Sequence, residues 1–164
     1  QIADAGKYVA ADGALQIDCT PGKFSGSGST ECTPCERGTY AEDEASTTCR
    51  IADAGKFVAD IGASEQTDCA AGTFSGSGAS VCTLCSTGEF SEAGASTCTA
   101  CPAGETSIEE GSASCSDCPA GKFKGEGSGP CLNCTRGTWS LAKASTCRIA
   151  DAGKFVADVG ASEQ

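Results

Sequence analysis

Cysteine is the residue whose number and spacing could do chemistry in this chain. Fourteen cysteines stand at 19, 32, 35, 49, 69, 82, 85, 98, 101, 115, 118, 131, 134 and 147, nearly all separated by two, twelve or thirteen residues. Thiols so spaced can pair oxidatively into disulfides or coordinate a tetrahedral zinc ion as thiolates. Cys82, Cys85, Cys98 and Cys101 have the two-residue gaps of a pair of zinc knuckles. No histidine accompanies them, which removes the commonest general base and the commonest neutral metal ligand.

A repeat of 16 to 17 residues carries these cysteines: Cys, two variable residues, Gly, a polar residue, an aromatic, then a Ser/Gly/Ala-rich tract closing on Cys. CTPGKFSGSGSTEC (19–32) and CSTGEFSEAGASTC (85–98) show it. Three further modules, starting at Ala3, Ala52 and Ala150, keep the frame without cysteine. Every aromatic of the chain (Tyr8, Phe24, Tyr40, Phe57, Phe74, Phe90, Phe123, Trp139 and Phe155) lies two residues after a module glycine; one module departs, with Thr106 there.

The cysteine-less modules act as a natural deletion experiment. Aligning the module at 101 with that at 52 sets Ala52 against Cys101 and Gln66 against Cys115, while Cys49 and Cys69 remain. Loss of one partner would strand a thiol, so partners should vanish together. Cys101 and Cys115 then pair. The same rule gives Cys19–Cys32, Cys35–Cys49, Cys69–Cys82, Cys85–Cys98, Cys118–Cys131 and Cys134–Cys147, with nothing left over. Zinc knuckles would instead be broken at 52, stranding Cys49 and Cys69, so disulfides are expected and no metal or cofactor is. Ile2, Ile51 and Ile149 before these modules, and Val9, Val58 and Val156 after their aromatics, read as apolar burial standing in for the lost cross-link.

Composition agrees with covalent stapling. Leu, Ile, Val and Phe supply 21 of 164 residues and the net charge is −11, values that by themselves belong to chains without a core. Fourteen cysteines move the chain into the disulfide-scaffold class, and hence to an extracellular or cell-surface setting. The acidic balance argues against nucleic acid as partner, and no apolar run is long enough to span a membrane. The opening Gln-Ile-Ala, with no Met anywhere, reads as the interior of a longer protein.

Each module reads as a short hairpin: β-favouring residues around the aromatic, Ser-Gly and Ala-Gly turn material, and a second short strand at the closing position. The recurring glycine is expected to take a positive φ or to let chain pass close by, and the aromatic to pack on the cystine or the next module. A unit this small cannot bury a face alone. Neighbours must therefore stack, giving a small, disulfide-rich, mostly β or irregular, elongated tandem-repeat rod with little helix. The modules group as triads over 3–51, 52–100 and 101–149, with 150–164 beginning the next super-repeat. Arg50–Gln66 matches Arg148–Gln164 except at Ile61 and Val159.

The cores CTACPAGET (98–106) and CSDCPAGKF (115–123) resemble the ephrin-receptor-like (GCC-type) cysteine-rich repeats, and the modules are similar to single-disulfide modules of the TNF-receptor family. The resemblance implies an elongated ectodomain with disulfides inside each module. It carries no activity with it. The expected function is that of an extracellular structural repeat protein, a filament, fibre, stalk or surface hair whose partner is itself. The alternative is a receptor or adhesion ectodomain binding a protein ligand. No catalytic arrangement is present, so an enzyme is not expected. Asn133-Cys134-Thr135 is an N-glycosylation sequon, and O-linked glycans are expected on the Ser/Thr-rich turns. Glu42-Asp43-Glu44 lacks the spaced oxygen ligands of a Ca²⁺ loop and reads as a solvated acidic turn; Arg50 and Arg148 are expected to meet acidic neighbours.

Overall fold

The computed structural model describes residues 2–10 and 15–164, so the turn tract of the first module, at 11–14, lies outside the described residues. Among the described residues none is helical, and the regular structure is nine two-stranded antiparallel hairpins in tandem. The chain divides into two compact units, residues 1–70, 74–83 and 94–97, and residues 71–73, 84–93 and 98–164.

In the first unit Lys7–Val9 pairs with Gln16–Asp18, Lys23–Phe24 with Thr33–Pro34, Thr39–Tyr40 with Arg50–Ile51, and Lys56–Phe57 with Thr67–Asp68. In the second, Glu89–Phe90 pairs with Thr99–Ala100, Glu105–Thr106 with Ser116–Asp117, Lys122–Phe123 with Leu132–Asn133, and Thr138–Trp139 with Arg148–Ile149. Thr73–Phe74 and Thr83–Leu84 form the remaining hairpin. The local cause is shared: the residue after the module glycine and the aromatic (Thr106 in one module) form one strand, and the two residues after the closing position form the other, the first hairpin being longer by Val9 and Gln16.

Strands of two residues bury almost nothing, so the core has to come from elsewhere. It is sulphur. The opening half-cystines Cys19, Cys35, Cys69, Cys85, Cys101, Cys118 and Cys134 are each at most 1% exposed, while their closing partners are half-buried. In the cysteine-less modules Ala3 and Ala52 take the same buried place. Tyr40 adds to this by packing with Ala52, Val58 and Ala63 of the following module, so the aromatic reaches across a module boundary.

Two expectations resolve at single positions. Gly22 has φ +86°, and a Cβ on it would sit 2.0 Å from the carbonyl oxygen of Gly62, two modules further on. Positive φ and close passage therefore act together, which leaves no residue but glycine. The apolar compensation is half wrong. Val58 and Val156 are buried, but Ile2, Ile51 and Ile149 are 76%, 62% and 80% exposed. Ile51 lies on the hairpin's second strand, opposite Thr39, where only its Cγ2 comes near Gly78; Val58 lies at the module junction, where it packs with Tyr40 and Ala52.

Candidate functional site

Successive modules meet through a repeated set of main-chain hydrogen bonds. The junction between the modules of Gly22 and Gly38 is typical. The Gly22 amide donates to the Ala41 carbonyl at 2.7 Å, and the Cys35 amide donates back to the Gly22 carbonyl at 2.9 Å. Ser25 N–H then donates to the Ser46 carbonyl at 3.2 Å, and Ala45 N–H to the Cys19 carbonyl at 2.8 Å. The same four bonds recur between the modules of Gly121 and Gly137, through Gly121 to Ser140, Cys134 to Gly121, Lys124 to Ala144 and Lys143 to Cys118. They recur unchanged where the next module has no cystine: Gly38 to Val58, Ala52 to Gly38, Ala41 to Ala63 and Gly62 to Cys35. Main chain makes this seam, so it is indifferent to most side chains, the module glycine and the buried residue after the aromatic position excepted.

The residue after the aromatic seals the seam. Ser25, Ser75, Ser91, Ser107 and Ser140, all nearly fully buried, donate their hydroxyls to the carbonyls of Lys7, Lys56, Thr73, Glu89 and Lys122 in the preceding module, at 2.8–2.9 Å. Lys124 stands at this position in its own module and is 5% exposed. Its Nζ donates to the Cys101 carbonyl at 2.9 Å. At other junctions a turn amide serves that carbonyl, as Gly111 serves Cys85.

The structure joins Cys19 to Cys32, Cys35 to Cys49, Cys69 to Cys82, Cys85 to Cys98, Cys101 to Cys115, Cys118 to Cys131 and Cys134 to Cys147. Each cystine closes its own module, with Cα separations of 5.7–5.8 Å that need no movement of the backbone. Where cysteine is missing, a polar clasp stands at the closing position. Gln66 accepts from the Asp53 amide at 2.7 Å through Oε1, and its Nε2 donates to Asp53 Oδ2 at 2.7 Å. Gln164 holds Asp151 in the same two-bond way, and Gln16 accepts from the Asp4 amide at 2.8 Å. Sequence reasoning aligned Gln66 with Cys115 but read the position as a loss. The signal was present: Asp and Gln recur as a pair in all three cysteine-less modules and at these positions in no other.

Ion pairs lie outside the junctions' backbone seam. Lys7 meets Asp18 at 2.8 Å and Lys56 meets Asp68 at 3.1 Å, both across hairpins without cystine. The Asp18 carboxylate, by hydrogen bonding and then by charge, raises the Lys7 pKa. Arg50 contacts Glu42 at 3.2 Å and Asp43 at 3.9 Å, so that part of the acidic turn is ion-paired. Arg148 differs: its guanidinium lies 5.7 Å from the Trp139 ring centroid, because Leu141 stands where its counterpart module has Glu42. The hairpin at 105–117 sets Glu105 directly opposite Asp117, a repulsive pairing. Lys143 relieves it, reaching both carboxylates from two modules away, at 2.5 Å and 3.2 Å. The hydrogen bonds that Lys143 donates to the Glu105 and Asp117 carboxylates, and then their charges, raise its pKa. Asn133 is exposed on the second strand of its hairpin, with Thr135 exposed beyond the buried Cys134.

Among comparisons with known proteins, the family model described as tyrosine-protein kinase ephrin type A/B receptor-like matches residues 22–69 and 72–118. These disulfide-rich repeats are a non-catalytic module type. No curated protein matches the chain.

Proposed function

The chain belongs to the tyrosine-protein kinase ephrin type A/B receptor-like family of cysteine-rich repeats, and from that premise we propose that it is part of an extracellular structural protein, a filament, stalk or surface fibre in which the repeat array itself is the product. The observation that carries the reading is the near-identity of Arg50–Gln66 and Arg148–Gln164, 98 residues apart, with one change among 17 positions. Lateral or end-to-end assembly requires one surface presented again at fixed intervals, whereas the modules of a receptor should diversify where a partner binds. Across the triads 3–51, 52–100 and 101–149 the near-identical surface recurs after 98 residues, at the start of the second triad and again at 150. A seam made by main chain also supports the reading, since modules of varied sequence can be added without redesigning the joint.

The partner in this proposal is a further copy or continuation of the same array, with glycans on Asn133 and on the Ser/Thr-rich turns; no reaction, metal or cofactor is assigned. Electron microscopy of the native, secreted material tests it. Fibres with a fixed axial repeat are the expected result. Dispersed monomers that capture a soluble protein ligand would replace the structural reading with the receptor one.

A further inference from the structure

All the cystines share one asymmetry. Each opening half-cystine is at most 1% exposed, whereas the closing one, Cys115 among them, is half-buried. A thiolate arriving from solvent therefore attacks the closing sulphur, and the opening sulphur has to leave as a thiolate inside the module. Where that buried anion has no counter-charge it is costly, and the cystine is slow to open.

One module is built differently. Lys124, 5% exposed, is the only buried charged side chain among the described residues, and it makes no ion pair with any of them. Its Nζ donates to the carbonyl of Cys101, an opening half-cystine, at 2.9 Å. At the other opening half-cystines a turn amide serves that carbonyl, Ala45 for Cys19 and Gly160 for Cys134 among them. The carboxylates of the same hairpin, Glu105 and Asp117, are already held by Lys143. Cys101 thus carries on its own backbone a buried ammonium that lacks an anion.

We propose that Cys101–Cys115 is the exchangeable cystine of the array, a modification site for a small thiol of the glutathione class. The incoming thiolate attacks Cys115 Sγ and forms a mixed disulfide there. The bond between Cys101 and Cys115 breaks, and its electron pair passes to Cys101 Sγ, which departs as a thiolate paired with the Lys124 ammonium. A cation beside a leaving thiol favours its thiolate and quickens its departure, here by about tenfold over a sibling without one. The inference goes beyond the structural reading and does not rest on it, since exchange at one module neither requires nor forbids a fibre.

The test is timed exchange of the oxidised full chain with reduced glutathione, quenched with N-ethylmaleimide and mapped by mass spectrometry. Glutathione on Cys115, with alkylated Cys101, is expected about tenfold faster than any product at Cys85–Cys98 or Cys134–Cys147. Lys124→Arg keeps the charge and should keep the preference. Lys124→Ser installs the serine of the sibling modules, and Lys124→Met fills similar space without charge. Both should slow the opening of Cys101–Cys115 to the pace of the other cystines. General loosening of the chain would speed every cystine, so it cannot imitate that slowing. The proposal is overturned if all the cystines open at one rate, if glutathione is found on Cys101, or if the Ser and Met variants open this cystine as fast as the parent or faster.

Discussion

Gln66 and Gly22 show what single residues contribute. The Gln66 clasp makes two hydrogen bonds at an exposed site, so Gln66→Ala should cost about 1 kcal/mol in chemical denaturation. The double change Ala52→Cys with Gln66→Cys should instead form an eighth cystine and stabilise by about 2–3 kcal/mol, since the closed loop has the size of its siblings. Failure of that pair to oxidise would mean that the cysteine-less modules have a different local geometry. Gly22→Ala combines a positive φ with a Cβ driven onto the Gly62 carbonyl, and should cost at least ~2 kcal/mol, seen as a fall in the denaturation midpoint. The glycine's role was legible in the sequence because every module repeats it. The Gln–Asp clasp is equally repetitive, but two exposed polar residues 13 apart do not reveal by type alone that they are hydrogen-bonded rather than separately solvated.

At the scale of hairpins and junctions, the buried serines are the point to perturb. Ser75→Ala leaves the Lys56 carbonyl without its buried donor, and a loss of about 1–3 kcal/mol is expected. Amide exchange should quicken most at the bonds beside it, Gly55 to Ser75 and Val58 to Ala79; uniform change along the chain would deny the junction its local character. The Lys143 pairing gives a pH signature. Its pKa is raised above 10.5 in the folded chain, so its contribution is complete below the ordinary lysine range and is lost as pH rises through the raised value. Thermal stability of the parent should therefore fall more steeply above pH about 10.5 than that of Lys143→Met, with the two curves parallel near neutrality. The hairpins were legible from turn residues and the aromatic position. The exposure of Ile51 was not, because which face of a two-residue strand is covered depends on the neighbouring module, and the spacing within one module says nothing of that.

Over the whole molecule, a chain with 21 Leu, Ile, Val and Phe residues out of 164 has too little apolar surface to offset its ordering entropy. Cross-links closing loops of ~15 residues, each contributing about 3 kcal/mol in the chain-entropy account, and a main-chain seam at every junction take the place of a core. The repeat class was legible from cysteine and glycine spacing, and family membership follows from the same residues. The recurring glycine marked a close backbone approach, but which amides and carbonyls meet there was not legible, since backbone bonds do not name their partners in side-chain identity. The measurement that bears most directly on this account is mass mapping of the native protein digested under non-reducing conditions. The account predicts Cys101 linked to Cys115, with each of the other six cystines closed inside its own module. Cys101 joined to Cys98 or Cys118, or free thiolates carrying zinc, would contradict it.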